Sequence, residues 1–121
     1  VMYAGENDVA KGKTPEKVLA DFQAFVKVVH AKLPKTSIAF IAIKPSITRW
    51  KLSGKMAQAN ALIRAACGKD KRLEFIDIWQ PMLGEDGKPK PELFVPDGIH
   101  LNAKGYALWT SIVKPYLTAH R

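Results

Sequence analysis

Asp97-Gly98-Ile99-His100 is the stretch of this sequence best suited to moving a proton. An aspartate three residues before a histidine can fold back through a tight turn and accept a hydrogen bond from one ring nitrogen. That fixes the tautomer and leaves the other nitrogen free as a general base. Gly98 supplies the backbone freedom for the bend. The same residues suit a solvated surface turn ahead of a helix, and spacing alone leaves both readings open. Metal binding by the pair is disfavoured, because no second His or Cys cluster completes a ligand set. A second polar cluster, Gly5-Glu6-Asn7-Asp8, follows the short apolar run of residues 1–4. An asparagine at a strand end can aim its NH2 into a pocket and stabilise the oxyanion of a tetrahedral intermediate. Asn and Asp after Gly are equally at home in a turn.

These clusters need elements to carry them. Residues 1–4 read as the end of a strand, stopped at Gly5. Thr14-Pro15-Glu16 is a helix start, with a capping hydroxyl, proline in the first turn and an early acid. Val18, Phe22, Phe25, Val26, Val29 and Leu33 then recur at three and four residues as one apolar stripe, up to Pro34. Residues 37–44 form a continuous apolar run rich in isoleucine, the pattern of a strand buried on both faces. Leu52, Met56, Ala59, Ile63 and Ala66 space out a second helix, stopped at Gly68. Residues 73–78 make another buried strand. Residues 80–96 form a loop broken by prolines, with a tight turn at Asp86-Gly87. Asn102 caps a third helix with Tyr106, Trp109, Val113, Tyr116 and Leu117 on its buried side, and Pro115 near its end. Strands alternating with helices predict a parallel sheet covered on both faces. Ligands in such sheets bind past the C-terminal strand ends, which selects residues 5–12, 45–50 and the loop ending at His100.

Composition narrows the classes. The 121 residues are 47% hydrophobic and 25% charged, an ordinary globular balance that excludes a disordered tail. No apolar run is long enough to span a membrane. The net charge of +8 comes mostly from scattered lysines, without a basic run or an aromatic-interleaved stripe. It reads as a solvated surface and not as a nucleic-acid footprint. Cys67, the one cysteine, cannot form an intrachain disulfide and reads as a small core residue. His30 and His120 are assigned no role, and the sequence leaves localisation open.

Together the two polar clusters are far more specific than either alone. Gly5-Glu6-Asn7-Asp8 after a strand resembles the G-x-N-D block of the SGNH (GDSL-like) hydrolases. Asp97-Gly98-Ile99-His100 before the last helix resembles their D-x-x-H block. Ile43-Lys44-Pro45-Ser46 and the Gly105-Tyr106 pair also look like bacterial members. The resemblance covers essentially the whole chain. It implies a three-layer α/β/α, flavodoxin-like fold with a parallel sheet and serine ester hydrolysis without metal or organic cofactor. His100 would be the general base, Asp97 its orienting partner and Asn7 an oxyanion-hole donor. Gly5 and Asp8 would shape the block. The substrate would be a small or carbohydrate-borne acyl ester.

One departure from the family pattern is large. The family's G-D-S-x block, which carries the nucleophile, belongs upstream of G-x-N-D, and no Gly-Asp-Ser occurs here. Of Ser37, Ser46, Ser53 and Ser111, only Ser46 is expected near the C-terminal sheet edge, where lining the pocket or capping a turn suits it better than attack. Residues 1–121 are therefore expected to be the C-terminal portion of a single SGNH domain, its N-terminal strands missing. Either that missing half or another chain should cover the sheet edge beside residues 1–4. The loop of residues 80–96 and the Arg49-Trp50 pair are expected to help wall the pocket. A non-catalytic binding module of the same fold, or an acyltransferase, are the alternatives.

Overall fold

In the computed structural model, which describes residues 1–119, the chain alternates helix and strand from residue 15 onward as its pattern predicts, whereas the strand end expected at residues 1–4 is a single bridge at Met2. The helices are α1 (Glu6–Ala10), α2 (Pro15–Lys32), α3 (Ser53–Cys67) and α4 (Ala103–Ala119). The strands are β1 (Ile38–Ile41) and β2 (Leu73–Ile76), joined in parallel with Phe40 opposite Phe75. Met2 adds a parallel bridge on the other side of β1: its N–H donates to Ala39 O at 2.8 Å, and its carbonyl accepts from Ile41 N at 2.9 Å. The parallel order is thus residue 2, β1, β2.

β1 shows why the fold has three layers. All four of its residues are buried, and they alternate between two cores. Ile38 and Phe40 pack with Val18 and Phe22 of α2 and with Met56, Ala59 and Ile63 of α3. Ala39 and Ile41 pack with Ile76, Ile78, Met82 and Leu93, against which Trp109 and Val113 of α4 close. The pleat sends successive side chains to opposite faces, so one short strand organises both layers.

Local chemistry sets the helix ends. Thr14 Oγ1 accepts from Lys17 N at 3.1 Å, with Pro15 in the first turn of α2. Asn102 Oδ1 accepts from Gly105 N at 3.0 Å and starts α4. Gly105 lets α4 lie against the chain before it, since a methyl group there would stand 2.4 Å from Leu93 O. Cys67 is buried, as expected of a core residue, and burial pushes its thiol up to about 11.

Several expectations are corrected. The turn expected at Gly5-Glu6-Asn7-Asp8 is the start of the short helix α1. The ladder of β1 stops at Ile41, although Ala42, Ile43, Lys44 and Ser46 stay buried beyond it. Phe25 and Leu33 are exposed: Phe25 lies at the flank of the α2 stripe, and Leu33 follows the last helical residue. Tyr106 and Leu117 are exposed too, on a side of α4 that lines surface hollows instead of the core. Two 3-10 turns, Gln80–Met82 and Pro91–Leu93, interrupt the long loop. His120 lies outside the described residues.

Candidate active site

The Asp97–His100 segment folds as a self-contained turn. His100 Nδ1 lies 2.5 Å from Asp97 Oδ2, while Asp97 Oδ1 accepts from the backbone N–H of Ile99 at 2.8 Å and of His100 at 2.9 Å. A carboxylate facing Nδ1 selects the tautomer protonated there and leaves Nε2 as the basic nitrogen. Asp97 is held down at about 2, first by the His100 hydrogen bond and then by the two backbone donors. Gly98 sits at φ 69°, and a methyl group on it would fall 2.5 Å from Thr48 Oγ1. The loop after β1 grips this turn: Ile47 N and Thr48 N donate to Gly98 O, and Thr48 Oγ1 donates to Asp97 O. The His100 side chain remains three-quarters exposed.

Asn7 and His100 share the lining of a cleft of about 550 Å³ that also includes Tyr3, Arg49, Tyr106 and Trp109. Its wall is built from buried charge. Gly5 turns the chain at φ 105°, where a methyl group would meet Ile43 Cδ1 at 3.0 Å. The next residue, Glu6, is thereby buried. Its Oε2 accepts from the Tyr3 hydroxyl at 2.6 Å and pairs with Lys44 Nζ; its Oε1 faces Arg49 Nη1 at 3.3 Å. Burial and the Glu6 carboxylate push the Tyr3 phenol well above its ordinary value, so it stays a donor. Asn7 Oδ1 accepts from Arg49 Nη1 at 3.0 Å. The cleft is therefore lined by an imidazole bonded to a carboxylate and by an amide whose oxygen is occupied.

Residues 1–108 match the GDSL-like lipase/acylhydrolase family. The chain belongs to this family. No curated protein matches it. Among solved structures, a Streptococcus pneumonia protein presented as a candidate platelet activating factor is 22% identical with a TM-score of 0.86; the match covers 95% of this chain and 58% of that one. A GDSL-like lipase from Bacteroides thetaiotaomicron is 21% identical with a TM-score of 0.78, covering 98% and 61%. The esterase domain of a zebrafish retrotransposon ORF1 protein is 23% identical with a TM-score of 0.71, covering 98% and 67%. At these identities the likeness is one of fold. The chain spans about three-fifths of the first two structures.

Within this GDSL-like frame, several site features went unread in the sequence. The contact of Glu6 with Lys44 and Arg49 has no sequence signal, because nothing in their spacing shows that residues 38 and 43 apart meet in the interior. Asn60 stands outside the apolar spacing of its helix, yet its side chain is buried and closes on Ile43, accepting from its N–H at 2.7 Å and donating to its C=O at 3.0 Å. It replaces the ladder that Ile43 has left and so fixes the segment carrying Lys44. A buried-type asparagine on an apolar helix face was the available signal.

Ser46 is buried, and its Oγ accepts from Arg49 N at 3.3 Å, so it caps the turn and does not line the cleft. Trp50 corrects the expected pocket wall. It stacks on Trp79, with centroids 6.1 Å apart, and with Ile47 and loop residues 84–92 lines a separate groove of about 650 Å³. Arg49 faces the His100 cleft; Trp50 does not. Among the described residues no cluster of His, Cys, Asp and Glu is placed to hold a metal, and no helix is long and apolar enough to cross a membrane.

Proposed function

We propose that this chain supplies the acid–base and oxyanion walls of a serine ester hydrolase acting on small or carbohydrate-borne acyl esters. The observation that carries the reading is that Asn7 and His100, the latter bonded to Asp97, line one cleft. In this scheme His100 Nε2 takes the proton of a serine as its oxygen attacks the ester carbonyl. Asp97 stabilises the imidazolium, and Asn7 Nδ2 donates to the tetrahedral oxyanion. His100 then protonates the leaving alcohol, and water resolves the acyl-enzyme by the same steps.

The serine is proposed to come from a segment docked on the outer edge of residues 1–4. Met2 pairs with β1 on one side, and among the described residues no strand pairs on the other. Apolar hollows flank that edge, one lined by Ile41, Trp109, Val113 and Leu117, the other by Met2, Val18, Phe22 and Phe40. A parallel edge whose own residues 1–4 carry no charged side chain is suited to another strand. The greater length of the matched structures supports this placement.

Hydrolysis of an activated short-chain ester tests both parts. The chain joined to a segment bearing Gly-Asp-Ser should turn over, and His100→Ala should remove that activity. The chain alone should stay at background and self-associate in sedimentation at micromolar concentration. Robust hydrolysis by the 121-residue chain, lost on Ser46→Ala, would overturn the assignment.

A further inference from the structure

Arg49 touches both Glu6 and the Asn7 side chain. We infer that it is a positioning residue for Asn7: its guanidinium holds the amide oxygen and so aims the NH2 into the cleft. The inference rests on Asn7 being the oxyanion donor, as proposed above.

A terminal amide has two faces that differ only in which atoms donate, and an exposed asparagine can present either. Nη1 of Arg49, 3.0 Å from Oδ1, removes that choice, because a guanidinium donates and never accepts. The oxygen must face Arg49, and Nδ2 is left to donate elsewhere. Withdrawal of electron density toward a cation at Oδ1 also makes Nδ2–H a better donor. An amide fixed before the reaction needs no reorientation when negative charge develops, which is where oxyanion stabilisation gets its strength.

Arg49 is itself fixed from two directions. Its side chain is about three-quarters buried, and Nη1 also faces Glu6 Oε1 at 3.3 Å. Glu6 in turn is locked by Lys44 and Tyr3. The Arg49 backbone N–H is held by Ser46 Oγ. The same loop bonds Gly98 and Asp97 through Ile47 and Thr48. One short segment thus sets Asn7 on one side and the histidine turn on the other, so a displacement of the loop would move both walls together.

A structural role alone would make Arg49 and Asn7 independent, so a double-mutant cycle separates the two. In the ester-hydrolysing assembly, Asn7→Ala should lower kcat by about 10²–10³ with little change in KM. Arg49→Ala should lower kcat by roughly 10–100-fold in the same way. Combined with Asn7→Ala, it should cost less than about threefold more, because its effect runs through the missing amide. Glu6 keeps Lys44 and Tyr3 in Arg49→Ala, so the fold is expected to survive. A second reading comes from the Asn7 side-chain NH2 in 1H–15N spectra. It should be rigid in the parent and become mobile in Arg49→Ala, with Arg49→Lys between the two. Equal losses from Arg49→Ala with and without Asn7, or an unchanged Asn7 NH2 signal, would overturn the proposal. Should Asn7→Ala leave kcat intact, the oxyanion assignment fails first and the positioning role with it.

Discussion

The two walls of the cleft are held by different physics. The histidine wall is local in its side chains: Asp97 meets His100 and Ile99 across two or three residues, the pair is exposed, and the distant Ile47 and Thr48 hold the backbone of the turn. The asparagine wall is non-local: Glu6 is buried and meets Lys44 and Arg49 across 38 and 43 residues of chain. The side-chain contacts of such a turn need its own residues alone, even where a distant loop holds its backbone. A buried charge network forms only after the sheet and helices have brought its members together, and it then fails as a unit. The first wall should therefore tolerate substitution with loss of chemistry alone, whereas the second should lose chemistry and stability together.

The sharpest way to break this contrast is to remove one charge from each wall. Glu6→Gln strands Lys44 Nζ in the interior without its counter-ion, which should destabilise the chain by about 3–5 kcal/mol. Asp97→Asn keeps a side-chain oxygen for the backbone N–H groups of Ile99 and His100 and should move the urea midpoint far less. It should still cost His100 the tautomer that leaves Nε2 basic, because the new NH2 donates to Nδ1. Matching midpoint shifts in the two variants would show that the walls are not held differently.

A smaller effect is expected at the residues that fasten each wall to the frame. Asn60→Ala leaves the buried N–H and C=O of Ile43 unmet and should cost about 1–3 kcal/mol. Gly98→Ala forces a side chain onto φ 69° and against Thr48 Oγ1, and should cost about 1–3 kcal/mol. Hydrogen exchange should distinguish them: Asn60→Ala loosens β1 and the segment of residues 42–46, whereas Gly98→Ala loosens residues 95–100. Protection lost over the same amides in both variants would place the walls in one cooperative unit.

The same contrast explains what could be read from the sequence. Layer order, parallel pairing and the Asp97–His100 contact were legible, because apolar periodicity and a three-residue spacing are local signals. Asn7 was legible as a position past a strand end, but the short helix that holds it was not. Gly5 and Asp8 look like turn residues, and burial of Glu6 against distant cations overrides that preference. The Glu6–Lys44–Tyr3–Arg49 network was invisible, since no periodicity records a contact made only in three dimensions. Phe25, Leu33, Tyr106 and Leu117 were misread for the opposite reason. Apolar spacing marks a face suited to burial, and only packing shows which part of that face is covered.

The smallest effect to look for is the titration of Asp97, which asks whether the local wall is preformed. Its carboxyl is held at about 2 against an ordinary value of 3.8, with the His100 ring as the largest cause and the Ile99 and His100 N–H groups next. The sign follows from linkage. A depressed carboxyl favours the folded turn most fully above its ordinary pKa, where the unfolded chain is already ionised, and that advantage disappears as pH falls through about 2. Because Asp97 and His100 are both largely in water, the advantage is screened and should be small in global unfolding. It should be plain in the side chain itself. The 13C signal of the Asp97 carboxyl should titrate near pH 2, and in His100→Ala the midpoint should rise only part of the way to 3.8, because the backbone donors remain. A wild-type midpoint at the ordinary value would mean that the turn is not preformed in solution. The histidine wall would then need its partner across the cleft as much as the asparagine wall needs its buried charges.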